Sequence, residues 1–285
     1  MPERRLGTEE GLGPDMTLAT EKLARRVRVD ALKMVHRARA AHIGSALSIA
    51  DMLAVLYGAV LRFDPAAPEW PERDRFILSK GHACVGVYAV LAAENFIPAD
   101  ALLTYGQDRS ILMNHISHHV PGVEFSTGSL GHGLPFGVGK ALAAKRRGDV
   151  WRTFVLTSDG EWDEGSNWEA IMFASHHALD NLVVLIDANN LQSLTTVEDT
   201  LRLEPLADKF RAFGCEVFEL DGHDHVALTS ALSSAPWQLG RPSVVIARTV
   251  KGRGVSFMEN QVKFHYSPPD DEQLAAALAE LREPS

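Results

Sequence analysis

Four short apolar runs, Thr153–Thr157, Leu182–Asp187, Glu216–Leu220 and Ser243–Arg248, are separated by helical patterns at Asn167–Ala178, Leu206–Phe213 and Val226–Ser234. Strands alternating with helices of about ten residues or more are the pattern of βαβ units. A crossover of that length cannot close an antiparallel hairpin, so the strands join in a parallel sheet. The runs show little polar alternation, as expected when helices cover both faces. The expected fold is therefore an α/β, doubly wound, mostly parallel sheet.

Ahead of these units the chain reads as a helical lead-in. From Thr17, Leu23, Val27, Ala31 and Met34 form one apolar stripe, with Arg25, Arg26, Arg28 and Asp30 turned away. A nearly all-apolar helix is predicted over 48–60. A strand is predicted over Asp74–Ser79, then a turn at Lys80-Gly81-His82 and a helix over 85–94. Residues 1–16 read as a flexible tail and 17–285 as one domain, with an irregular segment after Lys251.

Composition narrows the partners. A net charge of −9 lacks the basic footprint of nucleic-acid binding. Cys84 and Cys215 are far apart, which argues against a disulfide framework or a zinc site, and Cys84 reads as core. There is no apolar run of membrane-spanning length and no signal-peptide pattern, so no membrane is expected and the compartment expected is the cytoplasm.

An open parallel sheet binds its ligands beyond the carboxyl ends of the strands. That rule singles out Gly81-His82, Ser158–Gly165 and Ala188–Ser193. Asp159-Gly160 follows one strand, and Asn189 follows the next, thirty positions later. A carboxylate and an amide oxygen on adjacent strand ends can share one hard cation, whose remaining ligands are phosphate oxygens and water. Gly160 would let a diphosphate approach the backbone closely. Either dipeptide alone reads as a turn; their joint placement favours a site.

This pair resembles the thiamine diphosphate fingerprint. Further segments are similar to transketolase, in particular to the N-terminal subunit of split bacterial enzymes. They are Ala41-His42-Ile43-Gly44, Leu78-Ser79-Lys80-Gly81-His82-Ala83, Pro121 to Gly133, and Lys251-Gly252-Arg253-Gly254 onward to Glu259. The resemblance implies that the side chains of Asp159 and Asn189 and the carbonyl of Leu191 bind Mg2+ (or Ca2+ or Mn2+). It implies that His82, Gly128, Leu130, Gly160, Glu161 and His265 join Asp159 and Asn189 in holding thiamine diphosphate, with Leu130 on the cofactor ring. His42, His115 and His265 become candidate catalytic residues, with Glu164 coupling two cofactor sites.

The resemblance also implies a partner. The family's second α/β domain, which binds the aminopyrimidine and supplies the activating glutamate, has no counterpart in these 285 residues. The chain is expected to need a C-terminal subunit, to form a heterotetramer by homodimerisation of that pair, and to transfer a two-carbon ketol unit between sugar-type substrates. The alternatives are the α subunit of a 2-oxo acid dehydrogenase and a non-catalytic scaffold. The first lacks the histidine segments, and the second has no need of them. A nicotinamide-binding fold is disfavoured by the absence of a G-x-G-x-x-G turn.

Four departures from the family pattern bear on the substrate. Ser158 stands before Asp159, His115 lies in Asn114-His115-Ile116 with His118 and His119 behind, His132 follows Gly131, and Leu191 to Thr196 lacks the usual Asp-Gly.

Overall fold

A computed structural model describes residues 13–282. Helix α1 (Pro14–Ala38) leads into α2 (Ile43–Ser48) and α3 (Ala50–Val55), then β1 (Arg75–Leu78), α4 (Cys84–Ala93) and α5 (Gly133–Arg147). The remainder is β2 (Thr153–Ser158), α6 (Gly165–His176), β3 (Leu182–Ala188), α7 (Val197–Thr200), α8 (Leu206–Ala212), β4 (Glu216–Asp221), α9 (His225–Ser234), β5 (Ser243–Arg248) and α10 (Asp271–Glu280). Five strands form one sheet in the order β1-β2-β3-β5-β4, every neighbouring pair parallel.

The period of two in the strands builds two cores. Phe76, Leu78, Phe154, Leu156, Val183, Leu185 and Val245 face the core shared with α1, α3 and α4. Ile77, Val155, Val184, Ile186, Val244 and Ile246 face the opposite core with α5, α6 and α8. Both faces are covered, so the strands carry apolar residues on both sides. The expected α/β, doubly wound parallel sheet is what forms.

Several local expectations shift. The apolar stretch over 48–60 is split into α2, α3 and a π-helical turn at Leu56–Val60. Helix α5 was not expected, because its glycines read as loop. Gly137 instead lets the helix lie directly on the sheet, since a Cβ there would sit 2.5 Å from Val155 Cγ2. The segment after Lys251 is not wholly irregular, for α10 is fixed by a capping box of Asp270 and Gln273. The expected tail lies outside the described residues as far as residue 12, and α1 takes in Pro14 to Met16. Cys84 and Cys215 are buried free thiols, as the core reading anticipated for Cys84. No described helix is long and apolar enough to cross a membrane.

A buried polar cluster joins the lead-in to the sheet. Asp51 on α3 pairs with Arg28 on α1 and lies 2.6 Å from His223 Nδ1 and 3.0 Å from His225 Nε2. His223 Nε2 accepts the Val250 N–H at 2.9 Å, which fixes the loop leaving β5. That loop carries Lys251 into the site described next.

Candidate active site

Four strand ends converge. Beyond β1 come Ser79, Lys80, Gly81 and His82; beyond β2, Asp159 and Gly160; beyond β3, Asn189 to Gln192; beyond β5, Thr249 to Lys251. They surround a cavity of about 140 Å3 lined by Ser45, Lys80, His82, Leu130, Asp159, Gly160, Asn189, Leu191, Lys251 and His265, among others.

The oxygen set is rigid. Asp159 Oδ1 accepts from Gly160 N at 2.8 Å, and Oδ2 accepts from Asn190 N at 2.6 Å. Asn189 Oδ1 accepts from Leu191 N at 3.1 Å, and its Nδ2 donates to Asp187 Oδ2 at 2.9 Å. Asn190 holds a left-handed φ of 62°, a local strain of the kind found at functional turns. The helix expected to present free N–H groups directly after Gly160 is replaced by a 3-10 turn over Gly160–Asp163. Gly160 N–H is taken by the Asp159 carboxylate.

The two neighbouring carboxylates differ in their counter-charge. Asp187 is fully buried but paired with Lys80 and bonded to Thr249 and Ser48, so its carboxyl stays low despite burial. Asp159 has no ion-pair partner among the described residues. Burial, aided by repulsion from Asp187, pushes it up to about 6. A buried, uncompensated carboxylate beside an amide oxygen and a free-facing carbonyl suits a hard divalent cation. No three His, Cys, Asp or Glu side chains among the described residues converge to hold a metal unaided, so a cation here would draw on amide, carbonyl and ligand oxygens. Lys80, Lys251 and His82 around the same cavity suit a diphosphate.

The histidines meet above this floor. The ring of His42 lies 5.1 Å from His82, 5.7 Å from His115 and 5.0 Å from His265, and His82 lies 5.5 Å from His265. His42 caps α2 at a φ of 74° and donates its backbone N–H to His265 O at 2.7 Å. Ile116 N donates to Gly81 O at 3.0 Å, and Tyr88 Oη donates to His115 O at 3.1 Å, which brings the His115 loop to the cluster. Burial, with the charge of neighbouring groups, holds His42 at about 4 and His265 at about 3. His82 is lowered further, and burial lowers His115. All four are neutral imidazoles near pH 7. Lys251 Nζ donates to His265 Nδ1 at 3.2 Å, so the ring proton of His265 sits on Nε2.

Most predicted residues are thus brought together: His42, His82, His115, His265, Leu130, Asp159, Gly160, Asn189 and Leu191. Gly128 lies against His115, its Cβ position 3.8 Å from the ring. Glu161 does not reach the cavity. It is fully buried and ties three loops, bonding Ser79 Oγ at 2.5 Å, Gly131 N at 2.9 Å and Ser158 N at 3.3 Å. Glu164 is exposed at the start of α6, away from the ring cluster. Lys80, Asp187 and Lys251 were not singled out from the sequence. The signal was available, since each lies at a strand's carboxyl end, but a lone Lys or Asp there is too common to read.

Similarity to known proteins decides the family. The family model described as transketolase, thiamine diphosphate binding domain, matches residues 19–282. The chain belongs to the transketolase family. It corresponds to the N-terminal, cofactor-binding part of a transketolase. One of the two subunits of an apulose-4-phosphate transketolase from Phocaeicola vulgatus is 40% identical, over 94% of this chain and 94% of that one. A 6-deoxy-6-sulfo-D-fructose transketolase subunit from a Clostridium species is 38% identical, over 90% and 93%. Transketolase from Leishmania mexicana superposes with a TM-score of 0.86 at 32% identity, over 92% of this chain and 41% of that chain. The Campylobacter jejuni enzyme gives 0.87 at 30%, over 95% and 43%. This transketolase chain therefore spans nearly all of the subunit relatives and about two-fifths of those solved transketolases.

Proposed function

We propose that the chain is the diphosphate-binding subunit of a two-subunit transketolase, dependent on thiamine diphosphate and Mg2+, that moves a two-carbon ketol unit from a ketose-type donor to an aldehyde acceptor. The observation that carries this reading is the stacking of four neutral imidazoles over a floor of paired cations and one uncompensated carboxylate. A scaffold has no physical need of either layer.

Asp159, the Asn189 amide oxygen and the Leu191 carbonyl would hold the metal. Lys80, Lys251 and His82 would hold the diphosphate, and Leu130 would pack on the ring between them. Thiamine diphosphate, when bound, supplies a nucleophilic carbon and an electron sink for carbon–carbon cleavage. The chain's own residues supply proton handling. His265 presents an Nε2–H toward the site, suited to a developing oxyanion, while His42 has a free ring nitrogen to accept a hydroxyl proton. Lys251 and Lys80 are among the groups that depress these histidines. An anionic diphosphate offsets those charges and moves the imidazoles toward neutral pKa, where they work best as acid and base. His115 would hold a hydroxyl of the two-carbon fragment.

The partner is a C-terminal subunit carrying the pyrimidine-binding domain and the activating glutamate, in a heterotetramer where exposed Glu164 faces a second copy. The relatives named as transketolase subunits support that division. The two sugars in the relatives' names both carry an anionic end, and a substrate of that type fits an enzyme whose anion-binding residues lie on the partner. The buried free thiols support a reducing, cytoplasmic setting.

Calorimetric titration of thiamine diphosphate with Mg2+ tests this, on the chain alone and mixed with its partner subunit. Mg2+-dependent binding that tightens with the partner and is lost in Asp159→Ala is expected. No binding in either case would sink the reading in favour of a scaffold.

A further inference from the structure

Tyr266 follows His265 directly and stands over the histidine cluster. Its ring centroid lies 4.7 Å from that of His265, edge-on, and 6.2 Å from that of His42. It is 56% exposed, the most open aromatic ring in contact with the cluster. Among the described residues its hydroxyl has no hydrogen-bond partner; only its backbone N–H is used, donating to Lys263 O. A large, amphipathic side chain left open at the mouth of a site is not explained by packing, since little of its ring is removed from water.

The position of the ring is fixed although its tip is free. Phe264 and His265, the two residues before it, are buried, and the 3-10 turn Val262–His265 ends on it. The His265 carbonyl is tied to His42 N, so the backbone that carries Tyr266 moves with the two histidines assigned to proton handling. A substrate entering toward them meets the phenol before it meets the imidazoles. Low loss of side-chain entropy, two rotatable bonds and one polar handle make such a tyrosine an efficient reader of a polar ligand.

We propose that Tyr266 is a specificity-determining residue, a wall that reads the hydroxyl groups of the sugar-type substrate next to the bond being broken. This deepens the transketolase reading and rests on it. The ring packs on the C–H face of the carbon chain, and the hydroxyl makes one hydrogen bond to a substrate hydroxyl. The rest of this wall is His42, His82, His115 and His265, which are uncharged near neutral pH. The chain's side of the mouth therefore selects neutral, hydroxylated carbons and leaves an anionic terminus to the partner's side.

The test uses the assembled two-subunit enzyme with a fixed ketose donor and two acceptors that differ only in hydroxylation, D-glyceraldehyde and propanal. For Tyr266→Phe, KM for glyceraldehyde is expected to rise about three- to tenfold, the loss of one neutral hydrogen bond, with kcat and the KM for propanal unchanged. Tyr266→Ala is expected to raise KM for both, with the larger change for glyceraldehyde. The Kd for thiamine diphosphate should stay as in the parent, as should the melting temperature of this exposed position. If Tyr266→Phe leaves the ratio of the two acceptors unchanged, the proposal is overturned while the transferase reading stands. If the parent assembly turns over no aldehyde yet binds cofactor, the transferase reading falls, and this proposal with it.

Discussion

Lys251 Nζ lies 3.1 Å from the carbonyl oxygen of Leu191 and 3.0 Å from that of Gln192, and so fastens the β5 loop onto the β3 loop across the cavity floor. Burial, reinforced by repulsion from Lys80, brings this ammonium down to about 8. The lysine serves two roles in sequence. It braces the loop that offers the Leu191 oxygen, and it faces the space where an anionic diphosphate fits.

Replacing Lys251 with Met keeps the length of the side chain and removes the charge. A charge-assisted hydrogen bond is worth roughly 1.5–3 kcal/mol. The Kd for thiamine diphosphate should therefore rise about ten- to a hundredfold, read by calorimetry. The sign with pH follows from the direction of the shift. The ammonium is present below about 8, so affinity of the parent should weaken as pH rises past that value. The Met variant should lack that limb, and an unchanged limb would exclude Lys251 as its source.

Histidine burial makes the fold sensitive to acid. In the unfolded chain these rings titrate near pH 6.5. In the fold His42 sits at about 4 and His265 at about 3. As pH falls below about 6.5 the unfolded state takes up protons that the folded state refuses, so stability present at neutral pH is lost progressively toward pH 4. The melting temperature should fall between pH 7 and 5, with a smaller fall in a His42→Asn, His265→Asn double variant. An identical slope in the two would mean that other groups govern acid unfolding.

Lys80 and Asp187 form a fully buried ion pair beneath the site. Removing one partner strands the other charge, at a cost of about 3–5 kcal/mol. Lys80→Met should lower the denaturation midpoint sharply, and adding Asp187→Leu should restore much of it. Cofactor binding should not return in the double variant. Recovery of both together would show that the pair serves stability alone.

Gly81 touches the neighbouring loop backbone to backbone, for a Cβ there would collide with the carbonyl oxygen of Thr127. Thr127 is itself held by its hydroxyl donating to Leu78 O at 2.7 Å, so neither loop can yield cheaply. Overpacking of this kind costs about 1–3 kcal/mol. Gly81→Ala should cost that much stability in urea unfolding and displace His82 and His115 together, raising the Kd for thiamine diphosphate.

Much of the site was legible because it lies at strand ends. Asp159 and Asn189 could be placed from the apolar runs before them, since the parallel order sends both runs out on the same edge of the sheet. Glu161 illustrates the limit. Beside Asp159-Gly160 it looks like a cofactor contact, yet the 3-10 turn rotates it inward, where Ser79 and Gly131 claim it. Helix α5 was hidden for a related reason. Gly133 and Gly137 resemble loop residues in sequence, and only contact with Ser79 and Val155 explains why small residues are needed there.

Sequence alone determined the sheet, its two-faced cores and the polar strand ends, because these follow from periodicity, which each segment carries by itself. Tertiary structure alone decided which charges compensate one another. Lys80 pairs with Asp187 across 107 positions and leaves Asp159 uncompensated, and Lys251 reaches Leu191 across 60. Tyr266 is likewise an ordinary surface tyrosine until the fold sets it against His42, far off in sequence. Burial and counter-charge are properties of a place in the fold, set by what the other strands deliver there, and no local pattern encodes them.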